Sequence, residues 1–167
     1  MDGDIAPLDK IVELAERYEA IVMVDEAHGF GVMGKNGKGV VEHFGLEGRI
    51  DVQMGTLSKA TGCLGGDCYG SSVLIDYLIN KARSFIYTTA LPPMVAAAAT
   101  CGVKIIRDEP ERRKHLWDLT RRFRQGLLDL GFDTMHSCTP IIPILLKDAR
   151  ATVTLSERLF EQGIWAQ

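Results

Sequence analysis

The feature that most constrains the fold is a short apolar run, Ala20-Ile21-Val22-Met23-Val24, which ends abruptly in Asp25-Glu26-Ala27-His28. A run this short, without polar alternation, suits a strand covered on both faces, as strands are in parallel sheets. It follows directly on an amphipathic segment. Pro7 is placed to open a helix, because its missing N–H falls where helix donors have no partner. Leu8, Ile11, Leu14, Ala15 and Tyr18 then recur at the spacing of one apolar helical face. Glycines 29, 31, 34, 37 and 39 follow His28 and predict a loop. Helix, strand and glycine loop in that order point to an α/β layer architecture.

The alternation continues. A second short strand is predicted at Asp51–Gly55, followed by Thr56-Leu57-Ser58-Lys59 and a turn rich in glycine (Gly62, Gly65, Gly66). Ser71 or Ser72 is placed to cap a helix running to about Arg83. Phe85–Thr88 is predicted as a strand, and Pro92-Pro93 starts an alanine-rich helix to about Arg107. From Asp108 the texture changes. Glu109–Leu130 predicts a long charged helix with Leu116, Leu119, Phe123, Leu127 and Leu130 at its apolar positions, and Gly131 is placed to stop it. Pro140–Leu146 is strand-like and Thr152–Gln162 helical, so a domain boundary is expected near Asp108, dividing 1–107 from 108–167. Both ends look cut, and Gly163-Ile164-Trp165-Ala166-Gln167 has the character of a strand beginning. The chain is expected to be an internal piece of a longer protein.

Composition narrows the function. Apolar residues make up 46% and charged residues 25%, enough for a sizeable core with an ordinary surface. The net charge of −3 gives no support to nucleic-acid binding, which needs a basic excess. No apolar run approaches the ~20 residues of a membrane helix. No signal-peptide pattern opens the sequence, so a cytoplasmic location is expected. Cys63, Cys68, Cys101 and Cys138 are scattered without a C-x-x-C pair. They suggest thiols packed as small hydrophobes, with neither a zinc site nor a disulfide frame.

Two polar clusters, Asp25…His28 and Thr56…Lys59, sit where strands end. Ligands of open α/β sheets bind beyond the carboxyl ends of the strands. An acid, an imidazole and a lysine converging there suit a cofactor with a basic ring nitrogen, an aldehyde and a phosphate. Each residue also has a plainer reading. Lys59 could be a solvated charge, Asp25 a turn cap, His28 a satisfied loop histidine, and Thr88-Thr89 an ordinary β pair. His43, His115 and His136 show no partner pattern, and Glu109–Arg124 has the composition of a solvated helix face.

Four ordered stretches go further. Val24-Asp25-Glu26-Ala27-His28-Gly29-Phe30-Gly31-Val32-Met33-Gly34 and Gly55-Thr56-Leu57-Ser58-Lys59-Ala60 resemble the strand-and-loop signature and the lysine motif of the α-oxoamine synthases, a family of pyridoxal-phosphate (PLP) enzymes. Asp2-Gly3-Asp4-Ile5-Ala6-Pro7-Leu8 and Tyr87-Thr88-Thr89-Ala90-Leu91-Pro92-Pro93 fit the same family. The resemblance implies part of a fold-type I PLP-dependent transferase: a mainly parallel sheet with flanking helices (1–107), then the start of a smaller α+β C-terminal domain (108–167). It implies that Lys59 binds the cofactor aldehyde covalently, as lysine amines do in covalent catalysis. Asp25 then pairs with the pyridine nitrogen, and His28 lies near the phenolic oxygen. Thr56 donates to the phosphate. Thr88 and Thr89 reach the phosphate of the neighbouring subunit's cofactor, which implies a homodimer. The implied reaction joins alanine or glycine to an acyl-CoA or acyl-carrier thioester and releases carbon dioxide and the carrier thiol. Thr89-Ala90-Leu91-Pro92-Pro93 favours alanine with a pimeloyl thioester (biotin synthesis) over glycine with acetyl-CoA. The sequence departs from the family at Gly65-Gly66-Asp67-Cys68-Tyr69-Gly70, since many members carry an aromatic and then an aliphatic residue at Asp67 and Cys68. The family's ring-stacking aromatic, its phosphate loop and its substrate-binding arginine fall outside this stretch.

Two rival readings remain. Val24-Asp25-Glu26-Ala27-His28 also spells a helicase magnesium box, and Gly29–Asn36 nearly spells a P-loop. A P-loop needs Ser or Thr after its lysine, and Asn36 stands there. Two boxes joined head to tail cannot both close on one nucleotide. The other rival is a truncated fragment without catalysis, which absorbance in the visible band of the bound cofactor would distinguish.

Overall fold

In the computed structural model, which describes residues 2–166, helices and strands alternate much as the sequence predicts. The first helix, α1 (Leu8–Arg17), begins just after Pro7. Its buried stripe is Leu8, Val12 and Ala15, whereas Ile11, Leu14 and Tyr18 are exposed. The predicted face is therefore wrong in part. Apolar residues occupy two adjacent stripes of this helix, and spacing alone does not say which one meets the core.

The chain divides into two compact units: Ala6–Leu116, and Met1–Ile5 together with Trp117–Gln167. In the first, Leu8, Val12 and Ala15 pack with Val22, Val41, Leu46 and Ile50. Val12 is completely buried; an aliphatic side chain in that position stabilises by roughly 1.5–3 kcal/mol. Val22 lies just ahead of β1 (Met23–Asp25), a shorter strand than the apolar run predicts. Val41 comes from α2 (Val40–Phe44), which the sequence did not reveal. Two β-branched residues and a single turn give no helical periodicity to read. Gly45 ends α2 in a Schellman arrangement, with Leu46 N–H donating to the Val41 carbonyl and Gly45 N–H to that of Glu42. Leu46 is thereby turned into the core.

The sheet has the order β1-β2-β3. Strand β2 (Val52–Thr56) runs parallel to β1, with Asp25 opposite Met54. On its other side β3 (Gly66–Gly70) runs antiparallel, with Asp67 opposite Gly55 and Gly66 opposite Thr56. The predicted α/β class stands, but the described sheet is mixed rather than mainly parallel. The predicted glycine turn is a hairpin loop, 57–65, that leads into β3. The divergent pair Asp67-Cys68 lies within that strand. Gly55 leaves the space above itself to the Asp67 carboxylate, since a Cβ there would stand 2.9 Å from Asp67 Oδ2.

Beyond the sheet, Ser71 caps α3 (Ser72–Lys81), its hydroxyl accepting from Leu74 N–H at 3.2 Å. The predicted strand Phe85–Thr88 is incorrect. Residues Arg83–Ile86 form a short helix, α4, because the Ala82 carbonyl accepts from both Phe85 and Ile86 N–H. With no described strand pairing to them, their β-propensity has nothing to act on. Helix α5 (Pro93–Asp108) starts as predicted.

Helix α6 (Pro110–Asp129) belongs in part to each unit. It stops at Gly131 by the same Schellman pairing, Phe132 N–H to Leu127 and Gly131 N–H to Leu128. The predicted strand Pro140–Leu146 is not formed. Its backbone is held by local turn contacts instead: Ser137 Oγ donates to the Ile141 carbonyl and Leu145 N–H to that of Asp133. Helix α7 (Ala149–Glu161) is capped by the Asp148 carboxylate. The strand expected at 163–167 is absent over the described residues 163–166, where Ile164 N–H turns back to Leu159; Gln167 lies outside them.

Candidate functional site

Asp25 ends β1 and Thr56 ends β2, so both polar clusters leave the sheet at the same edge, from adjacent parallel strands. Directly opposed residues share a face and alternate residues return to it. Asp25, Met54 and Thr56 therefore lie on one face, opposite the face on which Val24 packs against the core. Asp25 is exposed there, and its Oδ1 accepts from Ala27 N–H at 2.8 Å, a turn closed by the acid's own side chain. Lys59 is also exposed, at the tip of loop 57–65. That loop is held by hydroxyls and backbone. Thr56 Oγ1 lies 2.7 Å from Ser58 Oγ, Thr61 Oγ1 donates to the Leu57 carbonyl at 2.6 Å, and Leu57 N–H donates to Gly65.

A residue that sequence reasoning passed over organises the other loop. Glu26 is only 3% exposed, and its two carboxylate oxygens accept from Val40 and Val41 N–H, each at 2.8 Å. Its backbone N–H donates to Met54 of β2, and its carbonyl accepts from Gly29 and Phe30, closing the turn that contains His28. Hydrogen bonds to an ionised group contribute roughly 1.5–3 kcal/mol each. The first turn of α2 is thus tied across the loop to the residue beside Asp25. Glycine leaves room for the Glu26 carboxylate at both loop ends, since a Cβ at Gly29 or Gly39 would displace it, and Gly39 also has φ +117°. The signal was present in the sequence: a second acid after Asp25, and glycines framing the loop.

The middle of the loop is held by Glu42, whose carboxylate accepts from Asn36 N–H, Asn36 Nδ2 and Lys38 N–H. Burial works against its charge, but the Lys38 and Asn36 donors outweigh that and hold its carboxyl below the ordinary range. Helix α5 braces both loops. Ile106 lies against Gly31 and Gly37, and Gly102 leaves space for Thr61. Gly31 itself comes so close to Ala60, the neighbour of Lys59, that a Cβ there would stand 2.6 Å from the alanine methyl. The two clusters are therefore brought together, with the glycine loop against the lysine loop. On β3, burial and then the adjacent Asp67 carboxylate push the Tyr69 phenol well above its ordinary value.

His28 is exposed in its turn, and the structure gives it no placement beyond that loop. Thr88 and Thr89 do not stand at a strand end; they lie exposed in the turn between α4 and α5. Ala90 follows them at φ +64°, and Leu91 reaches back over Gly65 of the lysine loop. This turn is thus tied to the hairpin that carries Lys59. His43 packs edge-on against Phe44, and the four cysteines are free. An exposed carboxylate, an exposed lysine amine and the paired hydroxyls of Thr56 and Ser58, carried by neighbouring strand ends, fit a cofactor bearing a basic nitrogen, an aldehyde and a phosphate.

A family model described as "Aminotransferase class I and II" matches residues 1–167. Over the whole chain the sequence is 54% identical to 8-amino-7-oxononanoate synthase of Thermosipho melanesiensis, of which it covers 43%. Among solved structures, a serine palmitoyltransferase from S. paucimobilis with a bound PLP–myriocin aldimine superposes with TM-score 0.96 at 36% identity, over 100% of this chain and 44% of that one. The 8-amino-7-oxononanoate synthase of Francisella tularensis gives TM-score 0.85 at 32% identity, over 99% of this chain and 49% of that one. The chain spans less than half the length of the relatives it matches.

Proposed function

Since the chain belongs to the class I and II aminotransferase family, we propose that it is part of a PLP-dependent 8-amino-7-oxononanoate synthase, condensing alanine with a pimeloyl thioester and releasing carbon dioxide and the free thiol. The observation that carries the reading is 54% identity to such a synthase along all 167 residues. The superposition is closer on the serine palmitoyltransferase, but at 36% identity that likeness reports the shared fold more than the shared substrate. Glycine with acetyl-CoA is the alternative pair within the same chemistry.

When bound, the cofactor supplies an electron sink for a carbanion. The chain's residues hold it there. Lys59 presents its amine to the aldehyde from the tip of an exposed loop. Asp25 holds a proton on the ring nitrogen; an opposite charge at ~4 Å and an effective dielectric of 20 contributes on the order of 4 kcal/mol before desolvation. His28 lies toward the phenolic oxygen, and Thr56 donates to the phosphate. Thr88 and Thr89 serve the phosphate of the opposite subunit in a homodimer. Residues 1–107 form part of the large cofactor domain and 108–167 part of the small one. The reading also assigns the enzyme to the cytoplasm. No described helix is long and apolar enough to cross a membrane.

The test uses the protein at full length. Borohydride reduction of the PLP-loaded enzyme, followed by peptide mapping, places a pyridoxyl group on Lys59; a label on another lysine refutes the assignment. Carbon dioxide and thiol release with alanine and pimeloyl thioester, set against glycine and acetyl-CoA, decides the substrate pair.

A further inference from the structure

We propose that Glu26 is a positioning residue for the cofactor site, fixing Asp25 and His28 by tying the loop between them and α2 to the sheet. The inference rests on the reading of Asp25 as the ring partner and adds a residue to which that reading gives no role. Five hydrogen bonds meet at position 26, through its backbone N–H, its carbonyl and its carboxylate. The backbone N–H is joined to Met54 of β2, which registers Asp25 against the strand that leads to Lys59. The carbonyl closes the turn around His28 through Gly29 and Phe30. The carboxylate, buried and turned away from Asp25's open face, holds Val40 and Val41 at the far end of the glycine loop. Two glycines, 29 and 39, leave the space that this carboxylate occupies.

A lesser role is conceivable for such an acid: it could stabilise the loop without affecting the site. Glu42 supplies the comparison. Its carboxylate holds the same loop at Asn36 and Lys38, remote in sequence from Asp25, and makes no bond to the Asp25–His28 turn. A positioning role separates the two acids; a structural role does not.

The experiment prepares Glu26→Gln and Glu42→Gln at full length and measures three things. These are amide hydrogen exchange over residues 26–41 in the cofactor-free protein, the Kd for PLP, and circular dichroism in the visible band of the bound cofactor. Glutamine keeps the shape but sets an NH2 against one of the two backbone donors. The expected result for Glu26→Gln is faster exchange at Val40 and Val41, a PLP Kd raised at least about tenfold and an altered dichroic band. The corresponding change in Kd for Glu42→Gln stays within about threefold. Equal effects of the two variants on Kd and dichroism overturn the proposal, because loop stability alone would then account for both. Faster exchange with unchanged Kd and dichroism overturns it too, as does a raised Kd with unchanged exchange. Borohydride labelling of the unmutated protein keeps the two levels apart. A missing label at Lys59 refutes the functional reading and the proposal with it. A normal label, with Glu26→Gln indistinguishable from the unmutated protein, refutes the proposal alone.

Discussion

The two loops at the strand ends are built on opposite plans. Loop 26–39 is held from inside by carboxylates: Glu26 buried at its ends, and Glu42 against Asn36 and Lys38. Loop 57–65 is held by hydroxyls and by its own backbone, and its lysine extends into the open. The difference matches what each must do in the proposed enzyme. An acid that keeps a proton on a ring nitrogen works only if its position is fixed. A lysine that forms and releases a covalent bond needs freedom in its side chain. Buried hydrogen bonds are therefore concentrated beside Asp25, and the Lys59 side chain is left exposed.

Lys59→Ala breaks the comparison most severely. Activity of the full-length enzyme should fall at least about a thousandfold, about 4 kcal/mol of barrier, while melting temperature changes little because the side chain is exposed. Asp25→Asn comes next. The amide still accepts from Ala27 N–H but cannot hold a positive charge on the ring, so steady-state assays should show a loss of more than about tenfold, or 1.4 kcal/mol. A smaller loss would remove Asp25 from its role. The turn at Thr88-Thr89 sharpens the comparison across subunits. Mixing Lys59→Ala with a Thr88→Ala/Thr89→Ala double mutant should restore roughly a quarter of normal activity, because random pairing makes half the dimers mixed, with one intact site each. No recovery after verified subunit exchange would put both threonines in the same site as their own lysine.

The smallest effect concerns Glu42. Its carboxyl sits below the ordinary value of 4.5 in the folded chain, so it binds a proton less readily folded than unfolded. Its contribution to stability is present above that pH and lost as pH falls through the folded value. The difference in melting temperature between the unmutated protein and Glu42→Gln should be visible at pH 7 and close on acidification. Because Glu42 is partly exposed, the contribution should stay under about 1 kcal/mol.

These contrasts mark where the sequence was informative. The apolar run ending at Asp25 and the motif around Lys59 are read from neighbouring residues, and both predicted clusters lie at one sheet edge. What could not be read locally depends on partners distant in sequence. Helix α2 owes its first turn to Glu26, and β3 exists because β2 offers it an edge. Phe85–Ile86 has the side chains of a strand, yet it coils because Ala82 is the nearest acceptor. The face of α1 was misjudged for the same reason: Val12 is selected by Val22, Val41 and Leu46, none of which helical spacing can see. Glu26 escaped notice because a carboxylate read in isolation looks like surface.

Strand β2 has a parallel neighbour on one side and an antiparallel neighbour on the other, and this bears on the order in which the molecule assembles. The antiparallel pair closes over residues 57–65, the parallel pair over the longer crossover 26–51. The extra loop-closure cost is only about 1 kcal/mol. Crossover closure, however, must also wait for α2 to form and dock, whereas a hairpin can form within microseconds. The lysine loop should thus acquire its shape early and from local contacts, and the acid should arrive late. Substitutions in β3 then slow refolding, while substitutions at Val40 or Val41 mainly hasten unfolding.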